Sequence, residues 1–383
     1  MDNYRAGPLA GLRVVEMAGL APAPFACTVL ADLGADVIRV DRVTPGADVL
    51  RVPGDPLARS RRSIGVDVKS TEGVALVLRL VERADVFVEG YRPGVAERMG
   101  LGPDVCLDRN PRLVYGRITG WGQTGPMRAA AGHDINYIGI AGALDAIGRV
   151  GEPPVPPLNL VGDFGGGGLL LAMGVLAALF ERATSGRGQV VDASMVEGAA
   201  LLTTQLHGMH AVGLWPGARG TNMLDGGAPF YDTYRASDGR FVAVGAIELR
   251  FWADLLRVLD LDPVSLPDRA DPAQWPALRE IIAARVATRT RDEWTELAEG
   301  TDACLTPVLS PWEAAAHPHN TARGTFVSVD GVTQPAPAPK FDRTPPGHPD
   351  PPSLTGGDTA DVLAELGLEP AEIVALRTAN VIP

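Results

Sequence analysis

Cysteine is scarce in this chain, with only Cys27, Cys106 and Cys304 among 383 residues. They are odd in number, far apart and free of any CxxC spacing, which excludes a simple disulfide framework and suits a reducing compartment. Histidine is almost as rare. Of the six, His207 and His210 form the one close pair outside a loop, no HExxH occurs and no thiolates lie nearby, so no metal is expected. Lysine is confined to Lys69 and Lys340, so an arginine at any one place reflects composition more than choice. Positive charge is short overall. The net charge of −12 argues against a nucleic-acid partner, whose phosphates demand clustered basic residues. Long uncharged apolar runs are missing too. The longest, Leu169 to Phe180, is bounded by Asp163 and Glu181 and falls short of the roughly 18 to 20 residues of a bilayer span, so it reads as a buried helix and no membrane partner is expected. Neither end carries a basic-then-apolar leader or a peroxisomal or retention tripeptide, and the expected address is the cytoplasm.

What is present is enough apolar content, 46%, for a sizeable core in a chain too long for one ordinary domain. The first half alternates β-branched runs with helical patterns. LRVVEM (12–17), DVIRV (36–40), SIGVDV (63–68), DVFVEG (85–90) and RLVYGRI (112–118) read as strands, with helices over Phe25 to Leu33 and Thr71 to Arg83. Such spacing predicts an α/β unit of βαβ type on a mostly parallel sheet. Two long apolar helices, roughly 160–184 and 194–214, flank the strand GQVVDAS. From Phe230 the pattern changes: FYDTYRASDGRFVAVGA alternates on both sides of Asp238-Gly239, as a β-hairpin does. Glu248 then opens a helix with Leu249, Trp252, Leu255, Leu256 and Leu259 at helical spacing. The strand DACLTPVLS and a hairpin near Gly331 complete a smaller α+β unit, and the proline-dense 333–353 segment is extended linker. The boundaries predicted are a large domain over 1–215 completed by helices in 345–383, a small domain over 225–332, and linkers at 216–224 and 333–353.

Several residues invite chemistry. A dinucleotide site fails at once, because AGLAPAPFA follows the first strand with one glycine and two prolines where G-x-G-x-x-G is needed. His133 and Asp134, in AGHDINYIGIAGAL, stand at a helix start after the loop TGWGQTGP, where an imidazole suits acid–base work and a polar side chain equally suits capping. Asp163 precedes Gly165 to Gly168 and an apolar helix. The run of glycines points to close approach to the backbone, with a ligand as the expected visitor and tight helix packing as the alternative. Glu248 sits at a helix start, where capping accounts for a carboxylate. Arg39, Arg42, Arg51, Arg59, Arg61 and Arg62 face only Asp41, Asp48 and Asp55, a basic stretch fit for a small polyanion.

Nine motifs then match one family in order and spacing from about Pro8 to Lys340: GLRVVEMAGLAPAPF, VLADLGADVIRVDR, RRSIGVDVKS, NPRLVYGRITGWGQTGP, AGHDINY, PLNLVGDFGGGGLLLAMG, SGRGQVVDASMVEG, NMLDGGAPFYDTYRASDGRFVAVGAIE and GTDACLTPVL. They resemble the α-methylacyl-CoA racemases of the class III CoA-transferase superfamily. The resemblance implies a doubly wound large domain joined by two linkers to a smaller α+β domain, and a homodimer of interlocked chains. It implies an isomerase that inverts the α-carbon of 2-methyl-branched acyl-CoA thioesters, with no cofactor beyond the CoA of the substrate. His133 and Asp163 become the acid–base pair and Glu248 the acid that orients the histidine. CoA and substrate contacts fall on Arg42, on Val66, Asp67, Val68 and Lys69, and on Gly132, Asp134, Ile135, Asn136 and Tyr137. Ala23, where many relatives have glycine, and ARSRRS (58–63), in place of a lysine-containing version, depart from the pattern near the nucleotide. The alternative is a class III CoA transferase with Asp163 as covalent nucleophile. Relatives that transfer CoA tend to carry an aromatic residue in place of His133 and a glycine-rich loop in place of GAIELRFW, so the racemase reading is preferred. A non-catalytic acyl-CoA carrier would leave His133 and Asp163 idle.

Overall fold

The computed structural model describes residues 6–43 and 54–383. Six strands, β1 (Arg13–Met17), β2 (Asp36–Asp41), β3 (Arg61–Gly65), β4 (Val86–Glu89), β5 (Val114–Thr119) and β6 (Gln189–Ser194), form one parallel sheet in the order β3-β2-β1-β4-β5-β6. The near-continuous apolar runs of these strands follow from burial on both faces. Val14, Val37, Val86, Val88 and Val114 point to one face, which the helices Pro22–Asp32 and Leu170–Ser185 cover. Val15, Ile38, Phe87 and Tyr115 point to the other, beneath the helices Thr71–Val81 and Thr359–Glu365. The sheet is thus doubly wound, and its order reverses between β1 and β4. Crevices open at such a switch point, beyond the carboxyl ends of the strands.

The helical stretch Leu160–Ser185 is long and apolar enough, by length and composition, to cross a membrane. It is only half buried: Leu171, Ala172, Val175 and Ala178 pack into the sheet core, whereas Leu169, Met173 and Phe180 are exposed. The buried helix expected for 169–180 is buried on one face only. Its first turns, Leu160–Leu169, are wound wider than an α-helix, as in the Phe164 N–H that donates to the Asn159 carbonyl five residues back at 3.2 Å. The second long helix expected there is two, Met195–Leu202 and Thr204–Ala211, broken at Thr203.

The described chain divides into two compact units. One gathers residues up to Ala141, Leu158–Leu202 and Thr321–Pro383, and the other Gly142–Pro157 and Thr203–Asn320. In the second unit β7 (Tyr231–Arg235), β8 (Phe241–Gly245) and β9 (Leu305–Pro307) pair antiparallel. Their core is shared with helix Leu249–Leu259, through Trp252, Leu255, Leu256 and Leu259, and with Trp294, whose indole N–H donates to the Val286 carbonyl at 2.7 Å. The hairpin near Gly331, β10 (Phe326–Val329) and β11 (Val332–Pro335), clusters with the first unit and not with the smaller one where the sequence put it. The reason is Arg59, whose guanidinium donates to Gln334 Oε1 at 2.8 Å and to the Pro335 carbonyl at 2.7 Å.

Candidate functional site

The candidate residues of the first unit collect beyond the carboxyl ends of the parallel strands. Arg42 follows β2, Val66 follows β3, Tyr91 and Arg92 follow β4, and the loop after β5 leads through Gly132 to His133. His133 is the N-cap of the helix Asp134–Ile140, with extended φ −131° and ψ 176°. Its backbone N–H donates to Asn136 Oδ1 at 3.0 Å, so the asparagine side chain does the capping and the imidazole stands exposed. The N–H groups of Asp134 and Ile135 open this helix, where no preceding turn supplies acceptors.

Asp134 joins the two candidate bases. Its side chain is buried, and Oδ2 accepts the Asp163 backbone N–H at 2.7 Å. The other oxygen is buried without a hydrogen-bond partner among the described residues. Gly162 makes the approach possible, because a Cβ there would lie 2.6 Å from Asp134 Oδ2. Asp163 itself is half-buried, with Oδ2 accepting from the Asn159 amide at 3.2 Å. Burial raises its carboxyl pKa; the Asn159 hydrogen bond lowers it, the Asp134 charge raises it and His133 lowers it, and the net direction is upward.

The glycine run after Asp163 admits protein, not a ligand, at its buried members. A Cβ on Gly166 would meet the Ala199 backbone nitrogen at 2.6 Å, one on Gly167 the Met195 side chain at 2.9 Å, and one on Gly168 the Pro22 carbonyl at 2.7 Å. The expectation of a ligand visitor is corrected there to close helix packing.

Tyr137 is a spacer under the loop. Its ring is buried edge-on to Trp121, centroids 4.8 Å apart, and its hydroxyl donates to the Gly132 carbonyl. Only glycine fits at 120 and 132, where a Cβ would strike the Tyr137 ring at 2.1 and 2.7 Å. Burial and the Asp163 charge push the phenol pKa up, and Arg92 opposes them. Ile135 and Asn136 are exposed on the same helix.

Arg42 is exposed, and its charge bears on Tyr91. Val66 is buried, Asp67 and Val68 are half-buried and Lys69 is exposed. This turn is fixed by the Val66 N–H on the Asp41 carbonyl (2.9 Å), the Asp67 N–H on the Val381 carbonyl (2.8 Å) and the Lys69 N–H on Asp67 Oδ1 (3.1 Å). Sequence reasoning did not single out Tyr91 and Arg92, whose signal was their place just after a buried strand, beyond Gly90. Beneath them Glu89 accepts the Tyr91 N–H at 2.7 Å and an Arg117 N–H at 3.2 Å. Burial nonetheless pushes its carboxyl up to about 7.

The basic stretch is largely consumed within the protein. Arg39 pairs with Asp41 at 2.7 Å, Arg59 with Asp32 at 2.5 Å, Arg61 with Glu16 at 2.5 Å and Arg62 with Asp36 at 2.6 Å. Arg51 lies outside the described residues. The polyanion patch expected from the sequence is thereby corrected to a set of internal ion pairs, with Arg42 the exposed described member. Glu248, in the second unit, is the N-cap residue of helix Leu249–Leu259. Its carboxylate makes no capping hydrogen bond and is exposed, so capping does not occupy it.

Comparison with known proteins identifies the family. The family described as CoA-transferase family III matches residues 9–359. The chain is 48% identical to the mouse protein named alpha-methylacyl-CoA racemase, over 98% of this chain and 97% of that one. It is 46% identical to the human protein of the same name, at the same coverage. Among solved structures it is similar to a CAIB/BAIF family protein from Brucella suis, with TM-score 0.80 and 28% identity over 94% of this chain and 100% of that one. By its profile match and its relatives, the chain belongs to CoA-transferase family III.

Proposed function

We propose that this protein is an α-methylacyl-CoA racemase, which inverts C2 of 2-methyl-branched acyl-CoA thioesters by a two-base proton transfer through an enolate. The observation that carries this reading is the clamp at the helix start, where Asp134 stands next to His133 in sequence and holds the Asp163 N–H at 2.7 Å. Two groups of different acidity are thereby fixed near each other, as removal and return of a proton at one carbon require. One base takes the α-hydrogen as a proton, the C–H electron pair moves to the thioester oxygen as an enolate, and the conjugate acid on the opposite face returns a proton to C2. Positioned acid–base groups typically contribute about 10²- to 10⁴-fold each. The N–H groups of Asp134 and Ile135 are the donors we assign to the enolate oxygen, and one such donor is typically worth about 3 kcal/mol. The partly dry surroundings raise the Asp163 pKa, the direction that favours a carboxyl able to return a proton as well as remove one. Glu248 is assigned to orienting His133, and Arg42 with the 66–69 turn to the CoA moiety. In this reading no cofactor is needed beyond the CoA of the substrate.

A second copy of the chain is part of the proposal. Leu160, Leu169, Met173 and Phe180 on one helical stretch, with Leu201 and Leu202 nearby in sequence, expose apolar surface that a partner subunit would cover.

The test is incubation of one epimer of a 2-methylacyl-CoA in deuterated water with an added carboxylate. Deuterium at C2 and drift toward a common epimer mixture, with no free CoA, is the expected result. Acyl-CoA formation from the added carboxylate without C2 labelling would overturn it in favour of transfer through Asp163.

A further inference from the structure

The second unit holds a cation, Arg269, three of whose partners, Ala246, Ile247 and Trp252, flank Glu248 along the chain. The chain leaves β8 at Gly245, crosses Ala246 and Ile247, and enters the helix Leu249–Leu259 at Glu248. The guanidinium of Arg269 donates to the Ile247 carbonyl at 2.6 Å and reaches the Ala246 carbonyl at 3.4 Å. It also lies over the Phe230 ring, 4.0 Å from the centroid, and the Trp252 ring at 5.0 Å. Trp252 is one turn into the helix, and its backbone N–H donates to the Glu248 carbonyl at 2.9 Å. The Arg269 backbone is pinned in turn, its carbonyl accepting from Trp275 Nε1 at 2.8 Å. Burial lowers the pKa of Arg269, and among the described residues no ion pair offsets it. Burying half of a guanidinium carries a desolvation cost, which the two carbonyl hydrogen bonds and two ring contacts offset only while they hold this geometry.

We infer that Arg269 is a positioning residue for Glu248: it fixes the two peptides before Glu248 and the aromatic ring one turn after it, and so aims a carboxylate that nothing in its own helix restrains. This rests on the proposed role of Glu248 toward His133. A lysine can substitute only in part, because a point ammonium keeps the charge but does not bridge two carbonyls while stacking on two rings.

The protein carries its own reporter of the Glu248 carboxylate. Cys304, whose carbonyl accepts the Gly245 N–H at 2.9 Å, is the one exposed cysteine, and Cys27 and Cys106 are buried. After burial, the Glu248 charge is the next cause holding the Cys304 thiol pKa up.

The experiment compares wild type with Arg269→Met, Arg269→Lys, Glu248→Gln and the double variant Arg269→Met/Glu248→Gln. C2 exchange is measured alongside the rate of Cys304 with a chromogenic disulfide at pH 8. Arg269→Met should lower kcat by about 10²-fold with KM unchanged, the loss a misplacement of about 1 Å typically produces. Arg269→Lys should fall between it and wild type. The double variant should be no slower than Glu248→Gln alone, because one residue acts through the other. Cys304 should react at least about twofold faster in both Glu248→Gln and Arg269→Met. Simple loss of the Arg269 cation would slow the thiol, so the sign separates displacement of Glu248 from a bare charge effect. Normal kcat in Arg269→Met beside a crippled Glu248→Gln, multiplicative losses in the double variant, or an unaccelerated Cys304 in Arg269→Met would each overturn the inference. If Glu248→Gln itself racemises normally, the role proposed for Glu248 fails, and the Cys304 rate alone decides whether Arg269 holds it.

Discussion

Burial raises the Asp163 carboxyl pKa, and that direction has a consequence for stability as well as for chemistry. A carboxyl whose folded pKa exceeds its unfolded value stabilises the fold fully below the unfolded pKa and loses that contribution as pH rises through the folded one. Wherever it is ionised, Asp163 is therefore a burden on the fold. Asp163→Asn should abolish inversion yet raise Tm at pH 7.5, and the gain should shrink as pH falls into the ordinary carboxylate range. A lower Tm at pH 7.5 would contradict this. The same sign applies to Glu89, fully buried and pushed up to about 7. The stability of wild type relative to Glu89→Gln should fall with pH between about 4.5 and 7, at no more than about 1.4 kcal/mol per unit, and level off above. Urea midpoints across that range check it. At this scale the sequence nominated His133 and Asp163 from local context, but it had no means of showing Asp134 reaching Asp163 across 29 positions. The arginines of 39–62 misled for the same reason. Their partners Glu16, Asp32 and Asp36 lie on neighbouring strands or the first helix, and composition counts charges without locating them.

The strands were legible because each is a short β-branched run whose alternate residues enter two cores, as Val14 and Val15 do. Helix phase was legible for Leu249–Leu259, whose Trp252, Leu255, Leu256 and Leu259 form one buried face. The wide winding of Leu160–Leu169 was not, since it depends on what packs against it. The glycines state that dependence in reverse. A Cβ at Gly198 would lie 1.7 Å from the Gly166 carbonyl oxygen, whereas at Gly208, also helical, nothing lies within 4 Å. Gly198→Ala should cost about 3 kcal/mol or prevent folding, the upper end of overpacking penalties. Gly208→Ala should stabilise by up to about 1 kcal/mol through helix propensity. Equal urea midpoints for the two variants would remove the packing account of the glycine-rich segment.

Over the whole molecule, the α/β class followed from the alternation of β-branched and helical runs in the first half, and the hairpin-led second unit from the change of periodicity near Phe230. The placement of the Gly331 hairpin did not, because the contact that decides it joins Arg59 to Gln334. The proposed role of Glu248 toward His133 can be exercised within one chain or, in a dimer, toward the His133 of a partner chain, and in the second case the two residues complement each other across chains. A mixed dimer of one His133→Ala chain and one Glu248→Ala chain then collects both lesions in one site and none in the other, as two-fold symmetry requires. Such a dimer, purified through two different tags, should recover about half the wild-type activity. If both residues act within one chain, it stays as inactive as its parents. The two-base mechanism itself is tested most directly by following C2 exchange in deuterated water for each separate epimer with His133→Ala and Asp163→Ala. Both variants should lose inversion, and each should keep α-hydrogen wash-out from one epimer only, opposite in the two variants. Loss of all exchange in Asp163→Ala beside normal turnover in His133→Ala would contradict the mechanism.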